Sequence, residues 1–395
     1  MSLTEEDLNL LNEYVYNVDQ EKLEKPKLDR PIKGQDLPMK NNKVVHVVDT
    51  LDDDKTGFQG LAVAPIVNGK PDYNQISIVA AGTDPSQKTT DVWSALFNGK
   101  APFHEEGQLG VAEDFVNRVN DVDGYTVTQL SGYSQSAYML EVGGRLGIPT
   151  TVFNGWFIYN NLSPEARKFI KENPHLFINY RHNKDMTTFL NDFNSSLYTG
   201  EDFGTIIWVE GDSHNIKGWE FDKNGRLIVN GDSQEKRAVK LAQIQNQSAL
   251  AMYSLSLLRD RLKASGGSLS ANEEIYLNNS QALLAVSAAS QTMKTGLASV
   301  IKLYQDAIVE TEQLWTDGLQ RARSIGTDLN ESEIIEALAS AGATEASVVT
   351  EPTAFYEKKI AKAKQMGESF DALVSEIQSG IEKLVQSDRD LASQL

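Results

Sequence analysis

The spacing of apolar residues changes near Ser233, and this change constrains the fold more than any other feature of the chain. Before it, short segments rich in Val, Ile and aromatic residues alternate with helical stretches. After it, apolar or small residues recur every three or four positions, at Leu241, Ile244, Ser248, Ala251, Leu255, Leu258 and Leu262. Since 395 residues exceed the usual size of one hydrophobic core, we expect two domains, 1–232 and 233–395.

The first domain has the pattern of an α/β fold. Short β-rich segments occur at 44–48, 61–66, 76–81, 125–131, 151–153, 176–180 and 206–210. Helical stretches separate several of them, at 111–119, 136–146 and 164–172. Strands that alternate with helices predict a mostly parallel sheet covered on both faces. A helix over 5–18 precedes the sheet, and Asn224-Gly225 predicts the turn of a hairpin over 219–229.

The second domain is predicted to be all-helical and elongated, and to do no chemistry. Gly266-Gly267 ends its first helix, and Ser270 with Glu273 has the spacing of a capping box for the next. The apolar seams of the following helices contain Leu283, Val286, Met293, Leu297, Val300, Tyr304, Phe370, Leu373, Ile377, Ile381 and Leu384. Seams of this kind either form the core of a bundle or dock on partner helices.

Composition limits the chemistry of the chain and where it can occur. All five histidines lie at or before His214, so imidazole chemistry is expected only in the first domain. Zero cysteines exclude disulfides, thiolate nucleophiles and cysteine-bound zinc. We therefore expect neither a metal nor a cofactor.

Charge and hydropathy limit the partners. A formal net charge of −18 argues against nucleic acid, because phosphate binding needs a clustered basic face. No apolar run reaches the roughly 18–20 residues that span a bilayer. Residues 1–16 lack a basic segment followed by an apolar core, so no cleavable signal peptide is expected.

Gly132-Tyr133-Ser134-Gln135-Ser136 lies between a predicted strand and a predicted helix. A sharp strand-to-helix turn exposes the central serine hydroxyl and leaves room only for small residues two positions away on each side. Gly132 and Ser136 meet this requirement, although glycine is usual at the second position. The context predicts Ser134 as a nucleophile on an elbow, whereas the pentapeptide alone also fits an ordinary turn.

A serine nucleophile needs a histidine base, and the base needs a carboxylate that orients its ring. His214 follows the predicted strand 206–210 and is the expected base, because His175 and His182 come too early for an acid-bearing loop to precede them. Asp185 is the expected acid. Two alternatives are weaker: Asp192 falls in a predicted helix, and Asp212 is too near His214 in sequence.

Acyl transfer also needs backbone N–H groups that stabilise the developing oxyanion. Gln135, directly after the nucleophile, is predicted to supply one. The strand over 76–81 leads into Gly82-Thr83-Asp84, so Thr83 is the candidate for the second donor. An ordinary β-turn at these residues is the alternative.

Together with Asp91-Val92-Trp93, these motifs resemble the class 3 lipases over roughly residues 45–230. The resemblance implies an α/β-hydrolase fold and acyl-ester hydrolysis by Ser134, Asp185 and His214. Two positions depart from the family pattern: Ala81 stands where arginine is common, and Ser136 where glycine is common. These departures affect the expected substrate more than the expected reaction.

A lipase-like domain ahead of a helical domain also resembles the type VII-secreted lipase toxins of Gram-positive bacteria. In that group the helical part is similar to an LXG targeting domain placed at the C-terminal side. The resemblance implies export without signal cleavage, small helical partner proteins on the C-terminal domain, a phospholipid or neutral-lipid substrate and an immunity protein.

Two other functions stay open at this point. The first is an interaction or scaffold protein in which the helical domain acts and the hydrolase fold is inactive. The second is a thioesterase or peptidase, which would use the same three residues.

Overall fold

The computed structural model describes residues 3–19, 29–82, 100, 107–185, 204–229 and 233–392. The chain forms two compact units, Met1–Leu250 and Ala251–Leu395. The predicted boundary at residue 233 is the first residue of helix α5, Ser233–Gly266. The first half of α5 nevertheless belongs to the first unit, because Val239 is buried in a cluster with Trp219 and Leu227.

A sheet of nine strands, counted over the described residues, is the framework of the first unit. The strands are β1 (Asp36–Pro38), β2 (Val44–Asp53), β3 (Phe58–Val67), β4 (Lys70–Pro71), β5 (Ile76–Ala80), β6 (Val127–Tyr133), β7 (Thr150–Phe153), β8 (Phe177–His182) and β9 (Thr205–Val209). Their order is β1-β2-β3-β5-β6-β7-β8-β9, and β4 pairs with β3. All seven predicted strands are present, while the short β1 and β4 were not predicted.

The central sheet is mostly parallel, as the alternating pattern predicted, and has an antiparallel extension on one side. Strands β5 to β9 pair in parallel with their neighbours. Strands β1 to β4 form antiparallel pairs, and β3 is also antiparallel to β5. Short turns join β2 to β3 and β3 to β4, and such turns permit only antiparallel neighbours, whereas parallel strands need a longer crossover.

Helices cover both faces of the sheet. The crossovers between the parallel strands contain α2 (Gln108–Asn120), α3 (Met139–Leu146) and α4 (Pro164–Glu172). Successive residues of a strand face opposite sides, and β3 illustrates this. A Cβ atom at Gly60 would meet the ring of Phe115 in α2 at 2.9 Å, whereas Leu61 packs with Leu11 of the N-terminal helix on the other face.

The N-terminal helix α1, Glu5–Tyr14, begins with a capping box between Thr4 and Asp7. A single 3₁₀ turn, Val15–Val18, follows it, so the predicted helical segment is present with a tighter last turn. Leu8 packs in the cluster that contains the ends of β6 to β9, and Leu11 packs with β2, β3 and β5. The helix therefore contributes side chains to two apolar clusters of the first unit.

The predicted hairpin over 219–229 is reduced to one antiparallel bridge, Phe221↔Leu227. Contacts with α1 explain why no longer ladder forms. The Leu227 N–H donates to the Glu5 carboxylate at 2.6 Å, and Gly225 (φ +72°) lies directly against Thr4. The turn thus forms hydrogen bonds both within itself and to the N-terminal helix.

The second unit contains the end of α5 together with α6 (Ala271–Ile325), α7 (Glu331–Ser340) and α8 (Glu351–Ala392). The predicted capping box forms, since the Ser270 hydroxyl and the Glu273 carboxylate bond each other's backbone N–H groups. No helix of the described residues is long and apolar enough to cross a membrane.

Helices α6 and α8 pack antiparallel along their length. Lys294 forms an ion pair with Asp371 at 3.1 Å, and further along the rings of Tyr304 and Tyr356 stack at 5.8 Å. The seam predicted in α8 is only partly covered. Three of its members are exposed in the described chain: Leu373, Ile377 and Leu384.

Replacement of Leu11 by alanine tests the packing of α1. Leu11 is fully buried, so truncation removes buried methyl groups and leaves a cavity. We expect the free energy of unfolding to fall by about 2–5 kcal/mol. Urea denaturation followed by tryptophan fluorescence measures it, and four of the five tryptophans lie at or before Trp219. The control, Val122→Ala at a residue that is 45% exposed, should change stability by less than about 0.5 kcal/mol; equal losses would contradict the packing.

Candidate active site

Ser134 begins the turn that connects β6 to α3 through a short 3₁₀ segment, Ser134–Tyr138. Its φ is +56°, a left-handed conformation that non-glycine residues rarely adopt. The residue is buried, and its Oγ lies 2.9 Å from Nε2 of His214. The elbow predicted from the pentapeptide is therefore present as a strained turn that directs the hydroxyl at the imidazole.

The residues two positions before and after Ser134 contact each other. A Cβ atom at Gly132 would collide with the Ser136 carbonyl oxygen and would lie 2.8 Å from the Ser136 hydroxyl. The Ser136 hydroxyl accepts the Tyr133 N–H at 2.7 Å and lies 2.9 Å from the Ala80 carbonyl, to which it can donate. The sequence indicated only that Ser136 is small; the bond from the elbow to the end of β5 had no local signal.

His214 and Asp185 come from the loops that follow β9 and β8. His214 Nδ1 lies 2.5 Å from Oδ2 of Asp185, whose side chain is 2% exposed, against 34% for the histidine. With its proton on Nδ1, the imidazole donates to this buried carboxylate and leaves Nε2 free to accept the serine O–H. Ser134, His214 and Asp185 thus form one continuous chain of hydrogen bonds.

Of the four other candidates for the base and the acid, the structure describes His175, His182 and Asp212. His182 is buried beside the base but bonds the Ser213 carbonyl through Nδ1 at 2.6 Å. The carbonyl of His175 accepts a hydrogen bond from Asn246 of α5. Asp192 falls outside the described residues. Asp212 is not the group bonded to Nδ1 of His214, since that position belongs to Asp185.

Gln135, the predicted first oxyanion donor, is held by its side chain. Its amide is buried and donates to the side chain of Gln108 at 3.1 Å. Gln108 in turn donates to the Thr56 carbonyl at 3.0 Å. These two hydrogen bonds fix the backbone after Ser134 relative to α2 and to the turn between β2 and β3, and sequence reasoning missed them.

Thr83, the predicted second donor, lies outside the described residues. Gly82, which precedes it, is buried against the elbow: a Cβ atom there would lie 2.5 Å from the Tyr133 carbonyl and 2.7 Å from the Tyr16 hydroxyl. Only glycine permits so close an approach. The end of β5 therefore meets the elbow directly before the predicted donor.

Tyr133, the elbow residue before Ser134, places its ring beside His214. Its ring centroid is 5.4 Å from that of His214. Burial raises the pKa of the Tyr133 phenol, and the nearby Asp185 carboxylate raises this pKa further. The phenol is therefore uncharged at neutral pH, and its ring forms an apolar wall beside the imidazole.

The described residues contain no group of three or more His, Asp or Glu side chains placed to hold a metal ion. The chain matches no protein-family model, no curated protein and no solved structure in comparisons with each.

Gly132→Ala tests the contact that shapes the elbow. Because the added methyl group would meet the backbone of Ser136, we expect a loss of about 1–3 kcal/mol in the free energy of unfolding, typical of overpacking. Urea denaturation measures the loss. The matched control is Gly110→Ala in α2, where nothing lies within 4 Å of the added atom; this change should be neutral or stabilising. A neutral Gly132→Ala would show that the elbow tolerates a side chain there.

Proposed function

We propose that this chain is a serine hydrolase of the α/β-hydrolase type that cleaves acyl esters of membrane lipids. One observation carries the proposal: Ser134 Oγ, the His214 ring and the Asp185 carboxylate form an unbroken chain of hydrogen bonds. It is supported by the left-handed turn at Ser134 and by the chain order serine, aspartate, histidine. The parallel strands β6, β8 and β9 each end beside one of the three residues.

We infer the following reaction from this geometry. His214 Nε2 takes the proton of Ser134 as Oγ attacks the ester carbonyl, and Asp185 stabilises the imidazolium that forms. We expect the backbone N–H of Gln135 to stabilise the oxyanion, and Thr83 remains the sequence-based candidate for the second donor. His214 then gives its proton to the leaving alcohol, and an acyl-serine remains. Water, deprotonated by His214, releases the fatty acid and restores the enzyme without a metal or cofactor.

The lipid substrate is supported by the resemblance to class 3 lipases. That resemblance covers the elbow, the acid and the base, and it includes Gly82-Thr83-Asp84 before Asp91-Val92-Trp93. We infer phospholipid or neutral lipid as the substrate, with the acyl ester as the bond that is cleaved.

The helical unit supports a role in export within the same proposal. Its arrangement after the catalytic unit is similar to that of the type VII-secreted lipase toxins. We infer secretion without a cleaved signal, small helical partner proteins that bind the second unit, and an immunity protein that blocks the active site in the producing cell.

The first test of the proposal is Ser134→Ala. We expect the parent protein to react with a fluorophosphonate probe and to release fatty acid from phospholipid vesicles. Ser134→Ala should lose the labelling and nearly all of the release, because the acyl-enzyme forms on the Ser134 hydroxyl. Ser256→Ala, at an exposed serine, serves as the control and should behave as the parent. Equal fatty-acid release by Ser134→Ala would refute the proposal.

The same assay separates the other functions. Mass spectrometry of the products from mixed phospholipids, triacylglycerol, an acyl thioester and a peptide identifies the bond that is cleaved. A parent protein that is folded but unreactive toward the probe would support the scaffold function instead.

Asp185→Asn tests the role of the carboxylate. The amide is nearly isosteric but can present its N–H to Nδ1 of His214, which favours the wrong tautomer of the ring. We expect kcat on p-nitrophenyl butyrate to fall by roughly 10³–10⁴-fold with little change in KM. Asp212→Asn is the matched control, since Asp212 is a neighbouring carboxylate that does not bond Nδ1 of His214. A similar fall in both variants would argue against Asp185 as the acid.

A further inference from the structure

The carbonyl of Ser213, directly before His214, receives two hydrogen bonds from the edge of the sheet. The first comes from Nδ1 of His182 at 2.6 Å and the second from Nδ2 of Asn154 at 3.1 Å. We propose that His182 and Asn154 are positioning residues, which hold the Ser213 carbonyl and thereby fix the His214 ring between Ser134 and Asp185. The inference rests on the proposed hydrolase function for its catalytic consequence, but its geometric part can be tested alone.

His182 lies at the edge of the sheet and donates a hydrogen bond from its neutral imidazole to the Ser213 carbonyl. It is the last residue of β8 and is 3% exposed. Its ring stacks on Trp219 with centroids 3.9 Å apart. A Cβ atom at Gly211 would lie 2.5 Å from Cδ2 of this ring. Position 211 therefore accommodates only glycine while the ring stays where it is. Because a carbonyl only accepts, the ring proton lies on Nδ1.

Asn154 connects two strands to the same loop. It follows β7 in a left-handed conformation, φ +45°, which asparagine tolerates better than most residues. Its backbone N–H donates to the Tyr180 carbonyl at 2.7 Å, and its Oδ1 accepts the His182 N–H at 2.9 Å. With both of these bonds made, its Nδ2 group points at Ser213. The Asn154 side chain therefore joins the ends of β7 and β8 to the loop that contains His214.

Residues 210–215 have no helix or strand structure, so the position of this loop depends on hydrogen bonds such as those to the Ser213 carbonyl. Other bonds tie its two ends: Lys184 N–H donates to the Gly211 carbonyl, and Asn9 of α1 donates to the Ile216 carbonyl at 3.1 Å. The Ser213 carbonyl is the anchor one peptide away from the base. A shift of about 1 Å at a reacting group can cost on the order of 10²-fold in rate, so this anchor should affect kcat.

Burial favours the neutral form of His182 against the effect of the carboxylates around it. Burial lowers the pKa of the His182 imidazole, and this effect outweighs its bond to Ser213 and the nearby carboxylates of Asp185 and Asp212. His214 also lowers the pKa of His182 slightly through charge repulsion. A neutral imidazole in this position adds no positive charge beside the base.

The test uses three variants of the full-length protein and one control. His182→Phe keeps the aromatic stack on Trp219 but removes the donor to Ser213. His182→Asn loses the stack but places an amide N–H close to the former Nδ1. Asn154→Asp keeps the shape and the acceptor for His182 N–H and removes the second donor. His46→Phe is the control: it also removes a histidine hydrogen bond, to Asp36 on the distant strand β1.

With p-nitrophenyl butyrate as substrate, we expect kcat to fall about 10- to 100-fold in His182→Phe and Asn154→Asp. KM should stay within about twofold of the parent value, because the ester itself is not contacted. His182→Asn should recover most of the lost kcat, and His46→Phe should match the parent. A parent-like kcat in folded His182→Phe and Asn154→Asp, or equal losses in His182→Phe and His182→Asn, would overturn the proposal.

Proton NMR tests the geometry without any activity. The Nδ1 proton of His214, bonded to Asp185, should give a far-downfield resonance in the parent, in His182→Asn and in His46→Phe. We expect this resonance to shift or disappear in His182→Phe and Asn154→Asp. An unchanged resonance in both would overturn the positioning role. A parent protein that shows the resonance but hydrolyses no substrate would overturn the hydrolase proposal and leave the geometric inference supported.

Discussion

The left-handed backbone of Ser134 is the constraint on which the rest of the first unit depends. A non-glycine residue at φ +56° is strained by an amount of order 1–3 kcal/mol, so the surroundings must hold it. Gly132 makes room for the turn, and the Ser136 hydroxyl binds the Tyr133 N–H within it. A second bond from Ser136 to Ala80 attaches the turn to β5. The strain is therefore supported by the parallel core of the sheet and not by the turn alone.

Sheet topology explains how residues far apart in sequence meet at this turn. Ser134 and His214 are separated by 80 positions, and Asp185 and His214 by 29. Parallel strands place their carboxyl ends along one edge of the sheet, so the loops after β6, β8 and β9 converge there. Helix α1, from the other end of this unit's sequence, also supports the site. Asn9 donates to the Ile216 carbonyl after His214, and Leu8 packs against the ends of the parallel strands. The first residues of the chain are thus part of the framework of the site.

Local pattern predicted those parts of the fold that have a local cause. Period and composition located the seven longer strands, the elbow and the capping box at Ser270, because each is determined by residues a few positions apart. Sequence reasoning missed three hydrogen bonds: from Ser136 to Ala80, from Gln135 to Gln108, and from the Leu227 N–H to Glu5 of α1. They join residues separated by 27 to 222 positions, and a single sequence contains no periodic signal for such contacts. The pattern likewise finds where α5 begins, but not how far α5 packs on the first unit, which extends to Leu250.

The imidazoles of His182 and His214 both contribute to the loop 210–215, the first by contacting it and the second as part of it. Their surroundings differ. His182 stacks on Trp219 and donates its single proton to a backbone carbonyl, and burial lowers its pKa. His214 faces a buried carboxylate on one side and a hydroxyl on the other, with a third of its side chain open to solvent. An imidazole that takes up and releases a proton needs a carboxylate partner and a side that substrate or water can reach. An imidazole that positions a loop needs its proton fixed on one nitrogen and a contact from which water is excluded. The sequence distinguished the two by chain order alone, and the structure gives the physical reason: the two ring nitrogens of His214 lie within hydrogen-bond distance of a carboxylate and a hydroxyl, whereas Nδ1 of His182 donates to a backbone carbonyl.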